Sequence, residues 1–350
     1  MIKNLKKKVV VAMSGGVDSS VAAALLKEEG YEVIGVTMCH YDGDKNLEAV
    51  HQVAQKLGIS WHILDFTKEF KNIVIDYFCK EYLTGRTPNP CVICNLKIKF
   101  GLLWEKAKFL GADYLATGHY AINGYDQKSK KFLLKRGVDE NKDQSYFLYR
   151  LNQNILPYVL FPLGKFKKSQ TRKLAKKYGL KNYKKEESQE ICFIRDDNYR
   201  KFLIQHIEDT IKPGKFIDKE GKILGKHQGI PFYTIGQRKG LGVSLNKRMY
   251  VIEINSHQNV IILGDDKDLY KDKLLVKDLN FISGDTLLSD SIKTEVKIRY
   301  NSKKSPAIIS PYGEDRVLIN FEKPQRAITP GQSAVFYQGE GVIGGGIIEH

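Results

Sequence analysis

Lys8-Val9-Val10-Val11-Ala12-Met13-Ser14-Gly15-Gly16-Val17-Asp18-Ser19-Ser20, followed by Val21-Ala22-Ala23-Ala24-Leu25-Leu26-Lys27-Glu28-Glu29-Gly30, decides the architecture. Lys8 to Met13 is a β-branched apolar run with the texture of a buried strand. Val21 to Leu26 is apolar at helical spacing and stops at Gly30. Between them, Gly15 and Gly16 let backbone approach an anion closely, and the free N–H groups of a helix start point toward it. Ser14, Ser19 and Ser20 add hydroxyl donors. The pattern predicts a strand, a phosphate-cradling turn and a helix. It is not of the Walker type, because no Gly-Lys-Ser/Thr follows.

Working outward, Tyr31 to Met38 and Ile59 to Phe66 read as further strands, and Asn46 to Leu57 as a helix with Leu47, Val50, Ala54 and Leu57 on one face. Asn95 to Leu110 reads as a helix and Asp113 to Thr117 as a fourth strand. Strands alternating with helices predict a parallel sheet covered on both faces, with ligands at the carboxyl ends of its strands. Ser14 to Ser19, Met38 and Gly118-His119-Tyr120 leave those ends and should share one rim. Tyr146 to Arg200 reads as helical and basic, with Ser169 as a helix cap before Gln170 to Tyr178. From Lys212 the texture turns to glycine-rich turns and short strands. From Lys273 it is nearly pure period two, as in Thr294 to Tyr300, Arg316 to Phe321 and Ser333 to Tyr337. Thr329-Pro330-Gly331-Gln332 fits a type II turn. We therefore expect three parts. A nucleotide-binding and catalytic domain with a helical, nucleic-acid-contacting part covers 1–205. A small central domain covers 206–272, and an antiparallel β-barrel covers 273–350.

The chain has 350 residues with Lys+Arg 56 against Asp+Glu 40, a net charge of +16. That excess favours a polyanionic partner, nucleic acid before membrane. No apolar run approaches the roughly 20 residues needed to span a bilayer. Met1 to Lys8 has a basic start without an apolar core or cleavage site, so no signal peptide is expected. Five cysteines form no secreted disulfide framework, and a reducing cytoplasm is the expected setting.

Thr87-Pro88-Asn89-Pro90-Cys91-Val92-Ile93-Cys94-Asn95 places two thiols in a CxxC, read here as a loop entering a helix near Asn95. A helix start favours thiolate. A third thiol, Cys192, lies in Glu187-Ser188-Gln189-Glu190-Ile191-Cys192-Phe193-Ile194. Cys39 and Cys79 read as buried fillers. No second CxxC or nearby His pair completes a four-ligand zinc site, which leaves a catalytic or cluster-binding role.

Ser14 to Ser19 resembles the PP-loop of the ATP pyrophosphatases, which cut ATP between the α and β phosphates and adenylate a substrate oxygen. The resemblance widens to the bacterial-type tRNA-specific 2-thiouridylase family over nearly the whole chain. It is carried by Ala12 to Ser20, Gly85-Arg86-Thr87-Pro88-Asn89-Pro90, Cys94-Asn95, Ala116-Thr117-Gly118-His119-Tyr120 and Lys142-Asp143-Gln144-Ser145-Tyr146-Phe147. Ile191-Cys192-Phe193-Ile194, Gly236-Gln237-Arg238-Lys239-Gly240-Leu241-Gly242 and Thr329 to Ala334 continue it. The resemblance implies ATP-dependent replacement of the C2 oxygen of a wobble uridine by sulfur, with a sulfur-donor protein as partner. It assigns Ala12, Met13, Ser14, Gly15, Gly16, Val17, Asp18, Ser19, Met38 and Gly118 to ATP. It makes Cys94 the attacking cysteine and Cys192 the persulfide carrier. It puts Asn89, Pro90 and Cys91 beside the target base, and His119, Lys142, Asp143, Gln144, Arg299, Tyr300 and Gln332 on tRNA. Magnesium accompanies ATP, with Asp18 as its candidate ligand.

Many family members carry aspartate where this chain has Cys91. Cys91, Cys94 and Cys192 together make a three-thiol set able to hold a 4Fe–4S cluster with one iron open. The simpler route has a Cys192 persulfide as sulfur source and ends in a Cys94–Cys192 disulfide. Both routes stay open on the sequence. So do two other functions: a PP-loop ligase of the amidotransferase-type synthetases acting on another substrate, and a tRNA-binding module without catalysis.

Overall fold

A computed structural model describes residues 6–41, 47–180, 191–194, 198–243, 247–284 and 290–350. Of the stretches quoted above, Met1 to Leu5, Asn46 and Glu187 to Glu190 lie outside the described residues. The first strand, β1 (Lys8–Ala12), pairs in parallel with β2 (Glu32–Cys39), and β2 pairs in parallel with β3 (Ser60–Asp65). On its other side β1 pairs with β4 (Tyr114–Ala116). The parallel sheet thus has β1 at its centre. Successive side chains on a strand face opposite ways. Val9 and Val11 accordingly pack in one cluster with Val21, Ala22 and Leu26 of helix α1 (Val17–Glu28). Val10 packs in the other, with Ile34, Phe70 and Phe78. Helix α2 (Leu47–Leu57) buries Val50, Val53 and Ala54.

A helical layer covers the second face: α3 (Thr67–Phe70), a π-helical turn Lys71–Ile75, and α4 (Asp76–Leu83). After a loop comes one continuous helical run in three parts: α5 (Pro90–Ile93), a π-helix Cys94–Leu102, and α6 (Leu103–Phe109). The CxxC therefore sits within helix, not in the expected loop. Pro90 takes the first helical position, where its missing N–H costs nothing.

Of the stretch expected to be helical, Tyr146 to Arg200, residues 181–190 and 195–197 lie outside the described residues, and the described part is only partly helical. It holds short 3-10 turns at Ser145–Leu148 and Leu156–Tyr158. It then adds a short strand pairing with β4 before helices Lys168–Lys177 and Tyr199–Ile207. Ser169 is not the cap. The helix starts at Lys168, two residues earlier than expected, and the Lys167 N–H donates to Gln170 Oε1 at 2.7 Å.

The central part is a four-stranded sheet spanning Gly214 to Gly264. The C-terminal part is an antiparallel barrel. Six strands, from Tyr270–Phe281 to Gly341–Ile348, close on themselves through pairing of the first with the last. Closure removes sheet edges. The strand expected to reach Tyr300 stops at Lys297, so Arg299 and Tyr300 lie in the bend beyond it. A hairpin from the first part, Ala121–Asp126 and Lys131–Arg136, pairs with the last barrel strand. The barrel is thereby stitched to the nucleotide domain.

Candidate active site

The expected rim exists. Thr37 Oγ1 donates to Met13 O at 2.9 Å and accepts from Trp61 Nε1 at 2.9 Å, tying the end of β1 to β2 and β3. Gly15 takes φ +73°, where a side chain is strained. Helix α1 has no side-chain cap, so its first N–H groups stay available to an anion. The sequence suggests Ser19 and Ser20 as hydroxyl donors to an anion, but both hydroxyls are engaged within the turn. They donate to Gly16 O at 3.2 and 2.9 Å and brace the turn. Ser14 is exposed at the loop tip. Gly118 leaves β4 directly against this loop. A Cβ there would lie 2.8 Å from the Ser19 nitrogen, so only glycine allows the approach.

Asp18 does not stand alone. Lys168 Nζ meets both of its oxygens, at 2.8 and 2.7 Å, and Tyr120 OH donates to Oδ1 at 2.8 Å. Lys168 is buried, and it begins a helix 150 residues away in sequence. Nothing in sequence spacing links these groups. A buried ammonium beside the cradle adds a fixed positive charge where phosphates would lie.

The cysteines gather on the same side. Cys192 Sγ lies 3.7 Å from His40 Nε2, and His40 follows directly on β2, two residues beyond Met38. His40 Nδ1 is 3.0 Å from Met38 O, and its ring packs edge-on against Phe70, centroids 4.7 Å apart. Cys91, Cys94 and Cys192 are near enough to repel one another's charge. Helix-start thiolates were expected, but burial outweighs that effect. It pushes Cys91 up to about 11 and raises Cys94. Cys192 rises to about 12, through desolvation of its sulfur first and the neighbouring thiols second. The residue as a whole is exposed, but its sulfur is largely desolvated and within electrostatic reach of the other two thiols. Lys99 opposes all three shifts. It lies five residues after Cys94 in the π-helix, whose i→i+5 bonding sets residue i+5 near residue i. Among the described residues no three His, Cys, Asp or Glu side chains are gathered closely enough to hold a metal ion. The three thiols are neighbours without forming an assembled cluster donor set.

The residues expected on tRNA are placed variously. Gln332 Nε2 donates to Thr87 O and Pro88 O at 3.1 and 3.2 Å. Thr87 N–H donates to Pro330 O at 2.8 Å. The turn Thr329 to Gln332 closes through Gln332 N–H to Thr329 O, and Gly331 has φ +90°. A Cβ on Gly331 would lie 2.8 Å from Thr87 O. The barrel thus clamps the loop that delivers Asn89, Pro90 and Cys91. Asn89 and Pro90 are buried, and Cys91 is half-buried.

Asp143 is buried and committed to Arg136 at 3.3 Å, to the Gly137 and Ser145 N–H groups, and to Ser145 Oγ. Gln144 Oε1 accepts the Tyr120 N–H. His119 is buried between Phe100 and Phe161, with Nδ1 2.7 Å from Thr117 Oγ1. Burial holds its pKa well below the ordinary value. Lys142 is half-buried. Arg299, also half-buried, donates to the carbonyls of Arg326 and Ala327, and Tyr300 packs on Phe147, centroids 4.5 Å apart. Arg299 is therefore a brace of the barrel rim. Arg299→Ala is expected to lower stability by about 1–3 kcal/mol by orphaning those carbonyls. A denaturant melt with an unshifted midpoint would contradict that.

Three family models match in succession: the tRNA methyl transferase HUP domain over residues 7–196, the tRNA methyl transferase PRC-barrel domain over 200–265, and the aminomethyltransferase beta-barrel domain over 271–348. The chain is 52% identical to tRNA-specific 2-thiouridylase MnmA 2 of Caldanaerobacter subterraneus subsp. tengcongensis, covering 98% of each chain. It is 49% identical to tRNA-specific 2-thiouridylase MnmA of Clostridioides difficile, covering 99% of each. It is 50% identical to the protein of that name from Carboxydothermus hydrogenoformans, covering 98% of each. With a glycine loop at the carboxyl edge of a parallel sheet, thiols nearby and this identity from end to end, the chain belongs to the tRNA-specific 2-thiouridylase family.

Proposed function

We propose that the protein is an ATP-dependent tRNA sulfurtransferase that converts a wobble uridine to 2-thiouridine. One observation carries the reading. His40 follows β2, two residues beyond Met38, and touches Cys192, so this thiol lies beyond the carboxyl end of the strand next to the one that leads into the glycine loop. Uridine C2 is a poor electrophile. Attack of its O2 on the α-phosphate expels pyrophosphate and turns that oxygen into part of a leaving group. The terminal sulfur of a Cys192 persulfide then attacks C2, and AMP leaves. Cys94 thiolate attacks Cys192 Sγ, closing a Cys94–Cys192 disulfide and releasing 2-thiouridine. A sulfur-donor protein reloads the persulfide, and a reductant resets the disulfide. Exchange of oxygen for sulfur uses this thiol group directly, which the methyl transfer in the family-model names would not.

Asp18 is the carboxylate of the loop, and magnesium is commonly held by one or two carboxylates plus substrate phosphates and waters. The site fits that pattern, with Lys168 sharing the carboxylate. When bound, magnesium neutralises triphosphate charge. No step is assigned to a 4Fe–4S cluster, because the three thiols are not gathered as a ligand set. Cys91→Ser is accordingly expected to keep thiolation within about threefold under anaerobic conditions, with no iron bound. Joint loss of iron and activity in that variant would reinstate the cluster.

The deciding assay supplies ATP, magnesium, persulfide and tRNA, and measures AMP, pyrophosphate and thiolated nucleoside. AMP without dependence on tRNA would favour another adenylating ligase. Tight tRNA binding without AMP would favour a binding module. The cytoplasm is the compartment we infer from the free thiols. The charge of +16 predicts salt-sensitive binding. Affinity for tRNA should fall about a hundredfold or more between about 50 and 200 mM salt as counterion release weakens. A flat salt response would remove the basic excess from the argument.

A further inference from the structure

Cys192 faces a difficulty that its neighbours create. To accept sulfur it must act as a thiolate, yet desolvation and two adjacent thiols disfavour that charge. Lys99 opposes them at a distance. One group with a free lone pair touches the sulfur: His40 Nε2, at 3.7 Å. The other ring nitrogen, Nδ1, lies 3.0 Å from Met38 O. A carbonyl only accepts, so Nδ1 carries the hydrogen and Nε2 is left as an acceptor facing Cys192. Phe70 packs edge-on against the ring and fixes its plane. Imidazole, sulfur and an orienting third group are the components of an activated thiol nucleophile. None of the sequence motifs singled out His40, which sits outside every block that carried the family resemblance.

We propose that His40 is the positioning residue and proton acceptor that loads sulfur onto Cys192. The proposal rests on the persulfide reading above. His40 Nε2 takes the proton from Cys192 Sγ. The thiolate attacks the outer sulfur of a donor persulfide. A bond forms between Cys192 Sγ and that sulfur, and the sulfur–sulfur bond of the donor breaks. The electron pair leaves on the donor thiolate, which the imidazolium protonates. No net oxidation occurs, and His40 returns to its neutral form. Among the described residues, the titratable groups bearing on Cys192 are His40, Cys91, Cys94 and Lys99. The first is the one in contact through a ring nitrogen.

The test needs neither ATP nor tRNA, so it can fail independently of the proposed function. Full-length protein is alkylated with iodoacetamide at several pH values, and Cys192 and Cys94 are quantified separately by peptide mass spectrometry. Loading from glutathione persulfide is followed in parallel. His40→Ala should slow both Cys192 alkylation near neutral pH and persulfide loading about tenfold or more. Cys94 should stay within about twofold. Free imidazole in the buffer should restore Cys192 in His40→Ala by entering the vacated space. His40→Phe, which keeps the packing on Phe70, should be as slow and should not respond to imidazole. Unchanged Cys192 rates in both variants would overturn the proposal. So would equal slowing of Cys94 and Cys192, or slowing in His40→Ala that imidazole does not relieve.

Discussion

Cys192→Ser and Cys94→Ser are each expected to abolish turnover to 2-thiouridine, by about a thousandfold or more, while leaving first-turnover pyrophosphate release within a fewfold. A serine hydroxyl cannot carry a persulfide, and it cannot attack Cys192 Sγ to release the product. Adenylation uses the cradle at Ser14 to Ser19, between β1 and α1, whereas Cys94 opens the π-helix and Cys192 lies in a separate turn. The two variants should differ in what accumulates. Cys94→Ser should trap Cys192 in a mixed disulfide with the modified base, releasable by added reductant. Cys192→Ser should trap nothing. Gel shift of labelled tRNA under non-reducing conditions reads both. Loss of first-turnover pyrophosphate release together with thiolation would place the thiols in the first half-reaction and reject the separation of roles.

Removing the charge at Asp18 is the second large effect. Asp18→Asn should lower AMP formation at least about a hundredfold, because the loop loses its negative charge and Lys168 keeps only one of the two oxygens that fix it. The same change leaves a buried ammonium underpaired, which should cost about 1–3 kcal/mol of stability. Asp18→Asn combined with Lys168→Met separates these consequences. The double variant should recover the melting temperature and stay inactive. Gly16→Val probes the cradle from the other side. A Cβ at Gly16 first meets Ser14 Oγ, at an ordinary 3.4 Å. The chain can therefore accommodate the start of a side chain, and lost activity would report obstruction of the phosphates. Normal AMP release by Gly16→Val would refute the phosphate cradle.

The sequence alone determined the parallel sheet, the glycine cradle and the barrel. Each rests on local physics: β-branched runs for Lys8 to Ala12, glycines where backbone nears an anion, period-two alternation after Lys273. It also singled out Cys94 and Cys192 as thiols. The tertiary structure decided what those residues face. Helix Pro90–Ile93 continues into a π-helix, which no periodicity of 3.6 announces, and that register sets Lys99 near Cys94. Burial reversed the thiol shifts expected from a helix start, because desolvation depends on what packs around a sulfur. Asp143, His119 and Arg299, named from sequence as candidate tRNA contacts, have internal partners that only the fold reveals, for the same reason. The pairs Lys168 with Asp18, Cys192 with His40 and Gln332 with Thr87 join residues 150, 152 and 245 positions apart. Hydrogen bonds and ion pairs act over a few ångströms of space, and sequence distance carries no information about them until the chain has folded.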